Sequence, residues 1–215
     1  DSRVEGTRHL VNAIGRLPSG ERPAVFLSSS GIDYYGETGD TAMREDSPAG
    51  RTFLADVCVQ WEREALAARA HGLRVACART GVVLGDGGAL DQMLTPFKLF
   101  VGGPVGGGRQ WFSWLHRDDM VGMYLAALDQ PAYGGPFNAV TDSLRMADFA
   151  KTLGRVLRRP SWMPVPAFAL RIAVGEMGPM LAESKRIEPA FLRANGFAWK
   201  FPTLEEALRD ALASR

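Results

Sequence analysis

The sequence predicts an α/β fold, a doubly wound parallel sheet with a smaller mixed C-terminal lobe. Three features carry that prediction. Helical and strand periodicities alternate through the first 85 residues, the strand runs are short and almost wholly apolar, and one of them ends in three consecutive hydroxyls. Strands buried between helices read as continuous apolar runs, and helices alternating with them argue parallel crossovers.

The elements follow in order. Ser2-Arg-Val-Glu5 is a capping-box pattern opening a helix with Val4, Val11 and Ile14 on one face. Pro18-Ser-Gly20 stops it, and Ala24 to Ser30 is the first strand. Ser28, Ser29 and Ser30 then stand at the C-terminal lip of a buried strand, where open α/β sheets bind ligands. A helix over Leu54 to Ala70 places Leu54, Val57, Cys58, Trp61 and Ala65 at helical spacing, and His71-Gly72 ends it as a glycine C-cap. Leu73 to Arg79 is the next strand, and Thr80-Gly-Val-Val-Leu-Gly85 leads the chain out of the sheet.

Later segments change character. Gly102 to Gly108 is rich in glycine, but Gln-Trp-Phe follows it rather than an amphipathic helix, so a mobile loop is favoured over a phosphate cradle. Asp118 and Asp119 open a helix where carboxylates suit the dipole. Pro136 to Val140 reads as a strand, Met146 to Leu157 as a helix, Ala167 to Gly175 as a helix, and Thr203-Leu-Glu-Glu206 caps a last helix through Ala213. The predicted division is residues 1–160, the sheet domain with interleaved lobe segments, and residues 161–215, a small helical domain.

Composition bounds the function. A chain of 215 residues with 46% hydrophobic and 23% charged residues buries an ordinary core. A net charge of +1 offers no electrostatic case for nucleic acid or an anionic membrane, so the expected partner is a small-molecule substrate. No apolar run approaches the roughly 20 residues that span a bilayer, no signal peptide opens the chain, and a cytoplasmic location is expected. Cys58 and Cys77 sit in apolar runs and read as packed, reduced thiols. No His/Cys/carboxylate cluster has metal-ligand spacing, and no metal is expected.

Ser2-Arg-Val-Glu-Gly-Thr7, Ser28 to Gly36, Arg79 to Gly85, Gln110 to Asp119 and Gly135 to Val140 occur in an order that resembles the extended short-chain dehydrogenase/reductases. Within them the chain is similar to the atypical NAD-dependent epimerase/dehydratase-like subgroup with a small uncharacterised C-terminal domain. Pro164 to Arg171, Gly196-Phe197 and Phe201-Pro202 carry that part of the likeness. The resemblance implies a Rossmann-like sheet binding NADP or NAD, with NADP favoured. The glycine-rich turn such sheets use is not found here, which predicts that N-terminal strands are missing, on the order of 80–100 residues judged from the size of a βαβ unit.

Carried across by position, the resemblance implies Ser28, Ser29, Ser30, Thr80, Gly81, Val82 and Val83 as cofactor-binding residues, and Arg79 at the strand end reads either as a cofactor-binding group on phosphate or ribose or as the partner of a carboxylate. Ser29, Ser30 and Tyr34 are the candidate catalytic groups. Tyr35, Gln110, Trp111 and His116 are candidates for the substrate wall, with aromatic packing and a structural histidine as the plainer readings. Counting from the strand favours Ser30 as the acting serine, and counting back from Tyr35-Gly36 favours Ser29. One departure is specific. Family members carry Tyr-x-x-x-Lys on the helix after the serine strand, with a glutamate four residues on; aligning that glutamate with Glu62 puts Leu54 and Cys58 where the pair would be. No tyrosine here has lysine four residues later, and an unassisted phenol has a pKa of about 10. Two readings stay open: an NAD(P)-dependent oxidoreductase or epimerase-like protein acting on a small carbonyl or sugar-like substrate, and a nucleotide-binding scaffold with little turnover that regulates a partner protein.

Overall fold

The computed structural model describes residues 2–163 and 183–213. The predicted helix over 167–175 and the matching stretch 164–171 lie outside them. Helix α1 (Ser2–Arg16) precedes strand β1 (Val25–Gly31), which passes into a 3-10 turn, Ile32–Tyr35. A short strand β2 (Ala42–Met43), helix α2 (Phe53–Leu66) and strand β3 (Arg74–Thr80) follow. Strand β4 (Val82–Leu84), helix α3 (Gly88–Lys98), strand β5 (Trp111–His116) and helix α4 (Arg117–Asp129) come next. Strands β6 (Pro136–Ala139) and β7 (Asp142–Arg145) then lead to helix α5 (Met146–Leu157). Strand β8 (Arg186–Ile187) and helices α6 (Ala190–Ala194) and α7 (Leu204–Ala213) complete the described chain.

The strands β1, β3 and β6 form a parallel sheet in that order. Val75, Ala76, Cys77 and Ala78 of β3 are fully buried, which is why this strand carries no alternation. Helices α1 and α2, with the 3-10 stretch that follows α2, cover one face through Val11, Ile14, Ala65 and Ala68. Helix α4 covers the other through Met123 and Ala127. A second sheet, β4-β5-β7, is parallel between β4 and β5 and antiparallel between β5 and β7. It packs with α3, α5 and α7 around Leu90, Phe112, Phe149 and Leu208. Strand β8 pairs with β2 and so returns the C-terminal segment to the turn that follows β1.

Most of the predicted elements stand within a residue or two of their expected limits. The second helix is shorter: its last turn tightens into a 3-10 stretch, Ala67–His71, which ends on the left-handed Gly72. Helix α3 is new, because Gly87-Gly88 at its start and Pro96 inside it mask an apolar face of Leu90, Met93, Leu94 and Phe97. The glycine-rich stretch is an anchored loop rather than a free one. Val105 is buried, the Met163 N–H donates to Gly102 and the Ala147 N–H donates to Gly108.

Candidate functional site

The parallel register sets the site. Ser30 stands beside Arg79, and Arg79 beside Asn138, so the three side chains form a row across one face of the sheet. Glu62 from α2 meets this row: the Ser30 hydroxyl donates to its carboxylate at 2.8 Å, and Arg79 grips it through Nε and Nη2 at 2.9 and 2.8 Å. Arg79 Nη1 also donates to the Tyr35 oxygen at 2.8 Å, and the Tyr35 phenol donates to Asn138 Oδ1 at 2.7 Å. Burial pushes the Tyr35 pKa up to about 12, against the pull of Arg79. The Arg79 guanidinium lies 3.4 Å from the Tyr34 ring centroid.

Ser29 faces the other way. Its hydroxyl pairs with the Tyr124 phenol of α4 at 2.6 Å. Ser28 is buried and donates to the Ser29 carbonyl at 3.2 Å. The strand end therefore presents its hydroxyls to different partners, Ser30 to a carboxylate and Ser29 to a phenol.

Two cavities flank this end of the sheet. One, a groove of about 450 Å³, is lined by Ser29, Ser30, Leu54, Cys58, Trp61 and Thr80 among others. Leu54 and Cys58, the positions aligned with the absent Tyr/Lys pair, thus stand in the same groove as the serines. The other, of about 280 Å³, is lined by Thr80, Gly81, Val82, Val83, Trp111 and Phe112, and by the polar side chains of Asp33, Ser113, Glu183 and Lys185. Gly81 makes the close turn between β3 and β4; a Cβ there would sit 2.7 Å from Val140 Cγ1 and 2.9 Å from the Ser113 oxygen.

Asp33 and Thr80 border both cavities, and Asp33 and Lys185 are the groups that sequence reasoning passed over. Lys185 Nζ donates to Asp33 Oδ1 at 2.8 Å and to Glu183 Oε2 at 2.6 Å. Burial works against the charge on Lys185, and the two carboxylates outweigh it, so its pKa lies above the ordinary lysine value. The two partners are 152 positions apart, so no local spacing marks them. The one legible hint is that Lys185 is among only four lysines of the chain.

The other candidates separate. Trp111 lines the smaller cavity on β5, and its indole N–H donates to Asp40 at 2.9 Å. Gln110 is buried, donates to the Val105 carbonyl and lines a shallower cleft with Arg109 and Arg145. Tyr34 lines neither of the two main cavities, its ring being laid against Arg79. His116 is wholly buried at the start of α4, where its Nδ1 accepts from the Asp118 N–H at 3.1 Å. Its Nε2 lies 3.3 Å from Asp210 of α7, and its ring centroid lies 4.0 Å from that of Phe201, the two planes tilted by 46°. His116, Asp118 and Asp210 bring ligand-type atoms within 4.8 Å of one another, and Lys200 Nζ already sits on Asp118 at 2.7 Å.

Among the described residues no helix is long and apolar enough to cross a membrane. Residues 165–211 match a domain of unknown function, DUF1731. The chloroplastic epimerase family protein SDR39U1 homolog of Arabidopsis thaliana is 42% identical over 97% of this chain and 60% of its own length. The epimerase family protein YfhF of Bacillus subtilis is 36% identical over all of this chain and 71% of its own. This chain thus spans three fifths to under three quarters of these relatives. The crystal structure of human epimerase family protein SDR39U1 (isoform 2) with NADPH superposes with a TM-score of 0.89 at 34% identity, over all of this chain and 73% of that one. The nucleoside-diphosphate sugar epimerase from Corynebacterium glutamicum superposes at 0.78 and 30% identity, over all of this chain and 42% of that one. Residues 1–140 match the NAD dependent epimerase/dehydratase family, and the chain belongs to that family.

Proposed function

We propose that this protein binds NADP(H) and exchanges a hydride with a small carbonyl or sugar-like substrate. The observation that carries this is the meeting of Ser29, Ser30 and Thr80, from adjacent parallel strand ends, on one groove beside the Thr80–Val83 segment. Open α/β sheets bind ligands at such a carboxyl end. The residues present suit the nicotinamide end of the cofactor. Gly31 keeps the groove floor at backbone level, since a Cβ there would sit 3.1 Å from Asp33 Oδ2 and 3.7 Å from Cys58 Sγ. The human relative of 34% identity, solved with NADPH, supports NADP(H) over NAD(H).

When bound, the nicotinamide supplies hydride donation or acceptance. The chain's own groups do the rest. Ser30 is committed to Glu62, so the half-buried Ser29, joined to Tyr124, is the hydroxyl that polarises a substrate oxygen. Thr80 to Val83 form the wall on which the ring packs, and Trp111 closes the substrate side.

A second reading has its own support. Leu54 and Cys58 leave the groove without the phenol–ammonium pair that moves protons in the wider family, which favours a nucleotide-binding scaffold. Titration with NADPH, followed by its oxidation against a panel of uncharged carbonyl compounds, separates the two. Saturable binding with turnover, reduced in Ser29→Ala, supports the enzyme. Binding without turnover supports the scaffold, and no binding of NADPH, nor of NADH titrated in the same way, overturns both.

A further inference from the structure

Asp33 occupies a particular place: its carboxylate borders the serine groove and the smaller cavity alike. Its side chain is 20% exposed, so it is reachable, whereas the Lys185 side chain that holds it is 7% exposed. The position of Lys185 is built into the fold. Its N–H donates to the Trp111 carbonyl at 3.1 Å, its carbonyl accepts from the Ser113 hydroxyl at 2.6 Å, and the neighbouring β8 is clamped on β2. The ammonium therefore grips Asp33 Oδ1 from a fixed anchor, and Oδ2 is left on the Gly31 side.

Resting on the oxidoreductase reading above, we propose that Asp33 exchanges the substrate's hydroxyl proton, with Lys185 as its positioning residue. In the oxidising direction the substrate O–H bond breaks and its proton forms an O–H bond with the Asp33 carboxylate. The electron pair stays on the substrate oxygen and becomes the second bond of the carbonyl. The hydride lost from the same carbon is taken by the oxidised nicotinamide nucleotide. In the reducing direction Asp33 takes up a proton from solvent and passes it to the forming alkoxide, so one solvent proton is consumed for each hydride transferred. This assigns to a carboxylate the task that a tyrosine at position 54 would otherwise perform.

The cavity also limits the substrate. About 280 Å³ lies at the lower edge of ligand pockets, roughly 300–1,000 Å³, and suits a single ring. Ile32, Val82, Val83, Trp111 and Phe112 supply apolar walls. Among the described residues its ionised groups are two carboxylates, Asp33 and Glu183, against the one ammonium of Lys185, which both already hold. A phosphate or carboxylate on the substrate would meet net negative charge. The substrate class is a compact, uncharged secondary alcohol or ketone.

The test uses cyclohexanone and cyclohexanol as probes on the whole protein and on Asp33→Asn, Lys185→Met and Lys185→Arg. NADPH affinity is expected to stay within about twofold in all three variants, since neither residue holds the nucleotide. Saturation-transfer NMR without cofactor is expected to show both probes bound by the wild type, with cyclohexanol binding weakened in Asp33→Asn. With cofactor, Asp33→Asn is expected to lose on the order of 100-fold in kcat, the scale of a removed general acid/base. Lys185→Met is expected to fall with it, and Lys185→Arg to recover most of the rate. Asp33→Asn turning over like the wild type overturns the role of Asp33 and leaves the oxidoreductase reading standing. Absence of probe binding overturns the substrate class. A wild type that binds NADPH but reduces no carbonyl sinks the oxidoreductase reading and this proposal with it.

Discussion

Arg79 and Glu62 form a two-pronged ion pair, Nε and Nη2 on the two carboxylate oxygens, with side chains only 3% and 6% exposed. The pair ties β3 to α2 behind the serine edge. Removing one partner of such a pair leaves a charge unpaired in the core, at a cost of about 3–5 kcal/mol, whereas replacing both with apolar groups of like volume is far milder. Arg79→Met and Glu62→Leu are each expected to lower the urea midpoint strongly. The double variant Glu62→Leu/Arg79→Met is expected to recover a large part of the loss. Additive losses in the double variant would show that the pair is not energetically coupled.

Gly81 is expected to tolerate no side chain. A methyl group there would press on Val140 and on the Ser113 carbonyl, at 2.7 and 2.9 Å. Overpacking of this kind costs roughly 1–3 kcal/mol. Gly81→Ala should lower the melting temperature and, by displacing Thr80 to Val83, weaken NADPH binding as well. Gly20→Ala, where nothing lies within 4 Å, is the control and should leave both unchanged.

Cys58 and Cys77 are both free and buried. Burial pushes the Cys77 thiol up to about 12 and raises that of Cys58. Because the thiolate is the reactive form, iodoacetamide at about pH 8 should label Cys77 only as fast as the protein unfolds. Mass spectrometry of timed samples, native and in urea, checks this. Rapid labelling of Cys77 under native conditions would mean that β3 opens locally.

Acid should weaken the tether between α4 and α7. Burial lowers the His116 pKa, outweighing the favourable fields of Asp118, Asp210 and Asp119. The geometry agrees, since a second proton would have to go on Nδ1, where the Asp118 N–H already points. With the folded pKa below the unfolded value of about 6.5, the unfolded chain binds more protons between the two. The contribution is therefore complete above pH 6.5 and is lost as the pH falls through the folded pKa. Urea melts at about pH 7.5 and 5 should show a larger drop for the wild type than for His116→Gln. Equal drops would place the acid sensitivity elsewhere.

The order of helices and strands was legible because the middle of β3 is buried on both faces and reads as an apolar run, and β1 opens with the apolar Val25-Phe-Leu27 before its serines. Helix α3 was not, since a double glycine and an internal proline hide its stripe. The strand-end serines were legible as a group, but which hydroxyl meets which partner was not. That depends on Glu62 and Tyr124 approaching opposite faces of one strand, which periodicity places and partners decide. Arg79 could be read as a phosphate ligand or as an ion-pair partner; in the fold its guanidinium is occupied by Glu62, Tyr35 and the Glu45 carbonyl. Lys185 and Asp33 were out of reach because their contact is made by β8 returning to β2, a long-range pairing of two residues each.

A crystal structure of this protein with NADPH tests the central claim most directly. The account predicts the nicotinamide ring in the groove beside Ser29 and Thr80, with its reactive edge turned toward Asp33 and the cavity closed by Trp111. A ring seated elsewhere, or an Asp33 carboxylate walled off from it, would contradict the account.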